Sequence, residues 1–151
     1  MTRNRSASAR PVVAARLRGV RLPVRVKRVY DEPDAADGTR VLVDRLWPRG
    51  IGREQVAADL WLKEAAPSEA LRKWYGHDPA RWESFRQKYR AELARRGAIL
   101  RMLEELRRRG PLTLIYSARD GAHNNAVVLR EVVEDRGAKA SPHTESLHAI
   151  D

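Results

Sequence analysis

Apolar positions along the chain switch between two spacings, and the switch points mark the elements. Val24, Val26 and Tyr30 bracket VRVKRVY, in which apolar and basic residues alternate. That alternation predicts a strand with one solvated face. Thr39 to Leu46 reads as a second strand, with Val41, Leu42 and Val43 buried. Pro48 has no N–H for a ladder and ends it. Asp59 to Lys63 is a short third strand around Leu60 and Leu62, and Leu112 to Tyr116, opened by Pro111, is the most apolar strand. Between these runs the apolar period lengthens to that of a helix. Arg53 to Ala58 gives one turn. Ser68 is a helix cap before EALRKWYG, and Asp78-Pro79 opens a long helix with the stripe Trp82, Phe85, Tyr89 and Leu93. The stripe continues through Leu100, Leu103 and Leu106 after a break or kink at Gly97, and Gly110-Pro111 stops it. Val128, Leu129, Val132 and Val133 form one face of the last helix. DEPDAADG, between the first two strands, is a loop of turn formers. The fold class is α/β: a small, mainly parallel three- or four-stranded sheet flanked by helices, in a single domain.

Charge and composition divide the chain. The formal net charge is +10, but residues 1–22 hold six arginines and no acid, so the rest carries only +4. Residues 1–22 are expected to be a disordered basic extension, similar in composition to a transit peptide or to translation from an early start codon. Residues 23–136 form the α/β domain, and residues 137–151, which lose periodicity, form a flexible tail. The chain has no cysteine, which excludes disulfides and thiolate chemistry and fits a reducing, cytoplasmic setting. No apolar run approaches the roughly 18 residues of a membrane span, so no membrane partner is expected. Oligomeric state is not readable.

The chemistry concentrates in Ser117-Ala118-Arg119-Asp120-Gly121-Ala122-His123-Asn124-Asn125, between the strand 112–116 and the last helix. In parallel α/β sheets, ligands bind at the carboxyl ends of strands. If strands 39–46 and 112–116 are parallel neighbours, Asp44, Arg45 and Arg49 share that edge. The expected cleft then takes ligand-binding residues from Arg45, Arg49, Ser117, Arg119, His123, Asn124 and Asn125. Asp44 is the candidate base, or a brace for the arginines. His77, oriented by Asp78, is a second acid–base candidate. One of Asn124 and Asn125 should cap the last helix, leaving the other to face the cleft. Trp47 reads as a core or lid residue, and Trp74, Trp82, Phe85 and Tyr89 as core. Phosphate-loop, dinucleotide and zinc-protease motifs are absent. A Ser117–His123–Asp44 triad lacks the nucleophile elbow, because Tyr116 and Ala118 flank the serine. Neither a metal nor a cofactor is expected.

Three blocks, VKRVYDEPDAADGTRVLVDRLWPRGI, LKEAAPSEALRKWYGHDPARWESFRQKYRAEL and PLTLIYSARDGAHNNAVVLREVV, closely resemble the YeaO-like proteins, domain-of-unknown-function family 488. The resemblance runs from about Val26 to Asp135, and D-R-L-W-P-R-G is its most specific part. It implies a small cytoplasmic bacterial α/β protein of a family without an established activity. A regulator of the winged-helix kind, a label some members carry, finds no recognition helix here. A broader branch of that superfamily has a turn like L-C-x-E-x-x-x-x-x-C-H-R after the last strand. Here Tyr116 and Ser117 replace the cysteine-bearing strand end, and His123 stands beside two amides, a poor metal site.

Two functions fit this reading. One is a pocket for a small anionic ligand, phosphate or carboxylate, with or without turnover. The other is a nucleic-acid-binding or regulatory module using the basic tail and the arginine-rich helix; with a core charge of +4, nucleic acid would have to enter through the tail. Beside both stands a polar loop that only braces the fold.

Overall fold

The computed structural model describes the backbone of residues 22–150 and the side chains of residues 22–138. Residues 1–21, nearly all of the expected basic extension, lie outside the described residues. Four strands form one sheet: β1 (Arg25–Arg28), β2 (Thr39–Leu42), β3 (Leu60–Trp61) and β4 (Leu112–Tyr116). Their order is β1-β4-β2-β3, and every neighbouring pair is parallel. Five helices accompany it: α1 (Arg53–Val56), α2 (Glu69–Tyr75), α3 (Trp82–Ala94), α4 (Gly97–Arg109) and α5 (Asn125–Ile150). Helical backbone in α5 runs on through residues 137–150, where the sequence predicts a tail. Among the described residues no helix is long and apolar enough to cross a membrane.

The caps and breaks follow the sequence. The Ser68 hydroxyl accepts from Leu71 N, Asp78 caps the 3₁₀ turn Pro79–Arg81 through Ala80 N, and the long helical stretch divides at Arg95-Arg96, just before Gly97. The β4 strand is buried along its whole length, as a central parallel strand should be. One sheet face carries Val24, Val41, Val43, Leu114 and Tyr116 against Phe85, Tyr89 and Leu93 of α3, Leu100 and Leu103 of α4, and Val128, Leu129, Val132 and Val133 of α5. Burial of these side chains, each worth about 1.5–3 kcal/mol, is the main stabilising term. On the opposite face Val29, Leu42, Val56 and Ile115 form a smaller cluster with Trp47, Ile51 and Ala58 around them.

That second face corrects one expectation. The basic face of β1 is solvated at Arg25 but not at Lys27. The β1–β2 connection crosses this face and buries Asp37, which is 0% exposed. Its carboxylate accepts from Arg40 Nη1 at 2.6 Å, Lys27 Nζ at 3.0 Å and Asp34 N at 3.0 Å. Thr113 of β4 donates to the Asp37 carbonyl at 2.8 Å, so the clamp ties β1, β4 and β2 together. Burial alone would raise the Asp37 carboxyl; the hydrogen bonds from Asp34, Lys27 and Arg40 outweigh it and hold it below its ordinary value.

The β2 strand is also shorter than the expected Thr39–Leu46. Its ladder closes with Val43 N donating to Ile115 O, and the chain then turns out at Asp44. Trp74, expected in the core, is 37% exposed and lies under Arg81 and Lys88. Phe85 and Tyr89 are buried as expected, and Trp82 is half-buried.

Candidate functional site

The β2 and β4 strands are parallel neighbours, so their carboxyl ends bring Asp44 and Ser117 together. Asp44 Oδ2 accepts from the Ser117 hydroxyl at 2.7 Å and from Ser117 N at 2.9 Å. Asn125, the first residue of α5, donates to Asp44 Oδ1 at 3.3 Å and to Val43 O at 3.0 Å. Asn124 is 3% exposed and caps α5, its Oδ1 accepting from Val127 N while its Nδ2 donates to Asp120 O. One amide therefore caps and the other reaches the site, as the paired asparagines predict.

Around this junction lies a cleft of about 420 Å³. Asp44, Arg45, Arg49, His77, Ser117, His123, Asn124 and Asn125 all line it, whereas Arg119 is exposed and does not. The turn explains Arg119. Asp120 Oδ1 accepts from Ala122 N and His123 N, and Asp120 Oδ2 meets His123 Nδ1 at 2.9 Å. This folds 120–123 back on itself, with the His123 ring edge-on to Trp82 at 4.9 Å. The Ser117–His123–Asp44 relay is not assembled: Ser117 bonds Asp44 directly, and the His123 bond to a carboxylate is to Asp120. Asp78 does not orient His77 either. It is engaged with Ala80 N and with Arg81 at 3.7 Å. His77 reaches the cleft through a bend in which Gly76 and His77 both take positive φ, 53° and 59°.

The arginines differ. Arg45 donates to the carbonyls of Ala66 and Pro67 at 3.2–3.4 Å and braces the segment before α2. The Arg49 side chain has no hydrogen bond or ion pair to the described residues, although its carbonyl accepts from Tyr30 OH at 2.9 Å. Arg72, which the sequence did not single out, also lines the cleft, with Glu69 no closer than 4.0 Å. Tyr30, Trp47, Tyr75 and Phe85 supply aromatic walls. Phe85 belongs to the helical stripe that reads as core, and Tyr75 ends the helix before it; both are buried and back the cleft from within the core. Trp47 is fixed by Nε1 donating to Ile51 O at 2.8 Å and by an edge-on contact with Trp61.

Burial raises the Asp44 carboxyl above its ordinary value; the hydrogen bonds from Ser117 and Asn125 and the positive form of His77 pull the other way without cancelling it. A folded state that holds the proton more tightly loses stability as pH rises from the ordinary carboxylate value through the raised one. Replacing Asp44 with Asn is expected to remove that slope. It should also cost about 1–3 kcal/mol, because the amide nitrogen replaces one of the two acceptor oxygens and leaves a donor of Ser117 or Asn125 without its partner. Urea denaturation of both proteins across pH 4–8 measures both effects; coincident pH profiles would contradict the assignment.

Among the described residues no group of three or more His, Cys, Asp or Glu side chains could hold a metal ion. Comparison with known proteins agrees with the resemblance carried by the D-R-L-W-P-R-G block. The family described as "Inactive DUF488-N3 subclade" matches residues 23–149. The "Uncharacterized protein YeaO" of Escherichia coli K12 is 44% identical over 108 residues, covering 72% of this chain and 94% of its own. The "Uncharacterized protein Rv3073c" of Mycobacterium tuberculosis H37Rv is 42% identical over 113 residues, covering 75% of this chain and 95% of its own. No solved structure gives a significant match. With a family match across most of its length and relatives above 40% identity, this chain belongs to the YeaO-like DUF488 family.

Proposed function

We propose that the cleft at the carboxyl ends of β2 and β4 binds a small organic anion and that the protein acts by binding rather than by turnover. The supporting observation is a charge imbalance among the lining side chains. Arg45, Arg49 and Arg72 face the cleft with one carboxylate, Asp44, whose oxygens already accept three hydrogen bonds. Forked guanidinium donors match a carboxylate or phosphate, and Arg49 has donors to offer. The volume lies within the range of small-molecule sites.

Asp44 fits a brace better than a base. Its bonds to Ser117 and Asn125 fix β2 against β4 and the start of α5, so it sets the shape of the cleft floor. The word "inactive" in the description of the matching family points the same way. The absence of cysteine suits a cytoplasmic setting.

The nucleic-acid reading has less behind it. The arginines of α3, α4 and the junction between them are largely engaged within the fold. Arg86 and Arg90 pair with Glu131, Arg96 with Glu92, and Arg108 and Arg109 with Glu105. That leaves few of them for phosphates.

A thermal-shift screen of carboxylates, inorganic phosphate and sugar phosphates tests the proposal. A ligand at one hundred times its Kd stabilises the folded state by about 2.7 kcal/mol. At least one anion is expected to raise the melting temperature by several degrees, with Arg49→Ala losing most of that shift. A hit unaffected by Arg49→Ala, or no hit, would remove the proposal.

A further inference from the structure

The lining of the cleft says more about its ligand than its charge. The anchoring groups stand beside apolar surface from two separate parts of the chain. Tyr30 and Trp47 come from the loops after β1 and β2, and Tyr75 and Phe85 from α2 and α3. Ala66, Pro67 and Ala118 add small apolar floor. These walls are held in place. Tyr30 OH donates to Arg49 O at 2.9 Å, which couples one wall to the arginine that has free donors. Trp47 is pinned by Ile51 O and Trp61. Tyr75 stacks on Phe85 with ring centroids 4.3 Å apart and planes 23° from parallel. Rigid rings bury a flat apolar body with little loss of side-chain entropy.

An inorganic anion would leave those walls wet and gain nothing from them. A neutral aromatic compound would leave the Arg49 donors unused. Resting on the anion-binding reading of the same cleft, we infer that its ligand is an amphipathic organic anion: a flat, apolar or aromatic body bearing one carboxylate or phosphate. Arg49 is the main contact for the head group, with Arg72 a second guanidinium lining the same cleft. Trp47 and the exposed ring of Tyr30 flank the body, with Tyr75 and Phe85 buried behind them.

Three probes separate the contributions: 2-naphthoate carries both features, inorganic phosphate only the charge, and 2-naphthalenemethanol only the rings. Binding is read by amide chemical-shift titration on the whole chain, which does not depend on any activity. Saturable binding of 2-naphthoate is expected, at least tenfold tighter than phosphate and at least tenfold tighter than the alcohol. Arg49→Ala should weaken 2-naphthoate about tenfold and leave the alcohol unchanged. Trp47→Leu should weaken 2-naphthoate and the alcohol alike and leave phosphate unchanged. Because Trp47 also packs against Ile51 and Trp61, the fold of each variant is checked by its own amide spectrum, and Tyr30→Leu, at an exposed ring, serves as a second wall variant. Phosphate binding as tightly as 2-naphthoate would overturn this inference and leave an anion cleft standing. The alcohol binding as tightly as 2-naphthoate would overturn the recognition of charge altogether. No saturable binding of either anion would overturn both readings.

Discussion

Gly38→Ala is expected to destabilise the fold by at least about 4 kcal/mol, in the far tail of single substitutions. Gly38 has φ 64° and ψ −132°, a backbone region that side-chain-bearing residues essentially do not occupy. Space forbids the change as well. A Cβ at this position would sit 2.2 Å from the Pro111 carbonyl oxygen and 2.7 Å from the Pro111 Cβ. Relaxation would have to move backbone, because Thr39 N donates to that same carbonyl at 3.0 Å at the start of the β2–β4 ladder. Total stability for a domain is about 5–15 kcal/mol, so the variant should be close to unfolded at 37 °C. Urea denaturation followed by circular dichroism gives the number. A loss below about 1 kcal/mol would mean that the β1–β2 crossover does not pass against Pro111 as described.

Asp37→Asn should cost about 3–5 kcal/mol, the range for removing one partner of a buried ion pair. Arg40 is 4% exposed and also donates to Ala57 O and Val56 O, so it cannot swing out to water when its carboxylate is lost. Lys27, half-buried, loses the same acceptor. The variant should carry its own pH signature. A carboxyl held below its ordinary value contributes stability above the unfolded-state value, and that contribution fades as pH falls through the lower folded-state value. The gap between wild type and variant should therefore be full at neutral pH and narrow in acid. A constant gap down to pH 2 would assign the loss to shape rather than charge.

Periodicity located most of the architecture because α3, α4 and α5 each turn an apolar side to the sheet and β4 is apolar along its whole length. The caps at Ser68 and Asp78 and the division near Gly97 follow from local chemistry that acts within a turn. The β1 face shows where this stops. Arg25 and Lys27 alternate with valines, which is the pattern of a solvated face, but Asp37 comes back over them from a loop. Nothing periodic encodes the path of eight turn-forming residues. The candidate site divides along the same line. Asp44, Ser117 and Asn125 meet because strand ends and a helix start are fixed by regular elements. Arg119, two residues past Ser117, points elsewhere because the Asp120–His123 turn is set by its own hydrogen bonds. Phe85 reads as core, and nothing in the helical period marks Arg72 or Tyr75; that all three line the cleft depends on where the strand-end loops lie against α2 and α3.

We propose that the D-R-L-W-P-R-G loop and the turn before α5 form one anion site. Amide chemical-shift mapping with a saturating anion from the thermal-shift screen tests it most directly. Perturbations are expected to concentrate in residues 44–50 and 117–125, with weaker ones at Arg72 and His77, and to be lost in Arg49→Ala. Perturbations confined to the arginine-bearing faces of α3 and α4, with Ser117 and Asn125 unmoved, would contradict it.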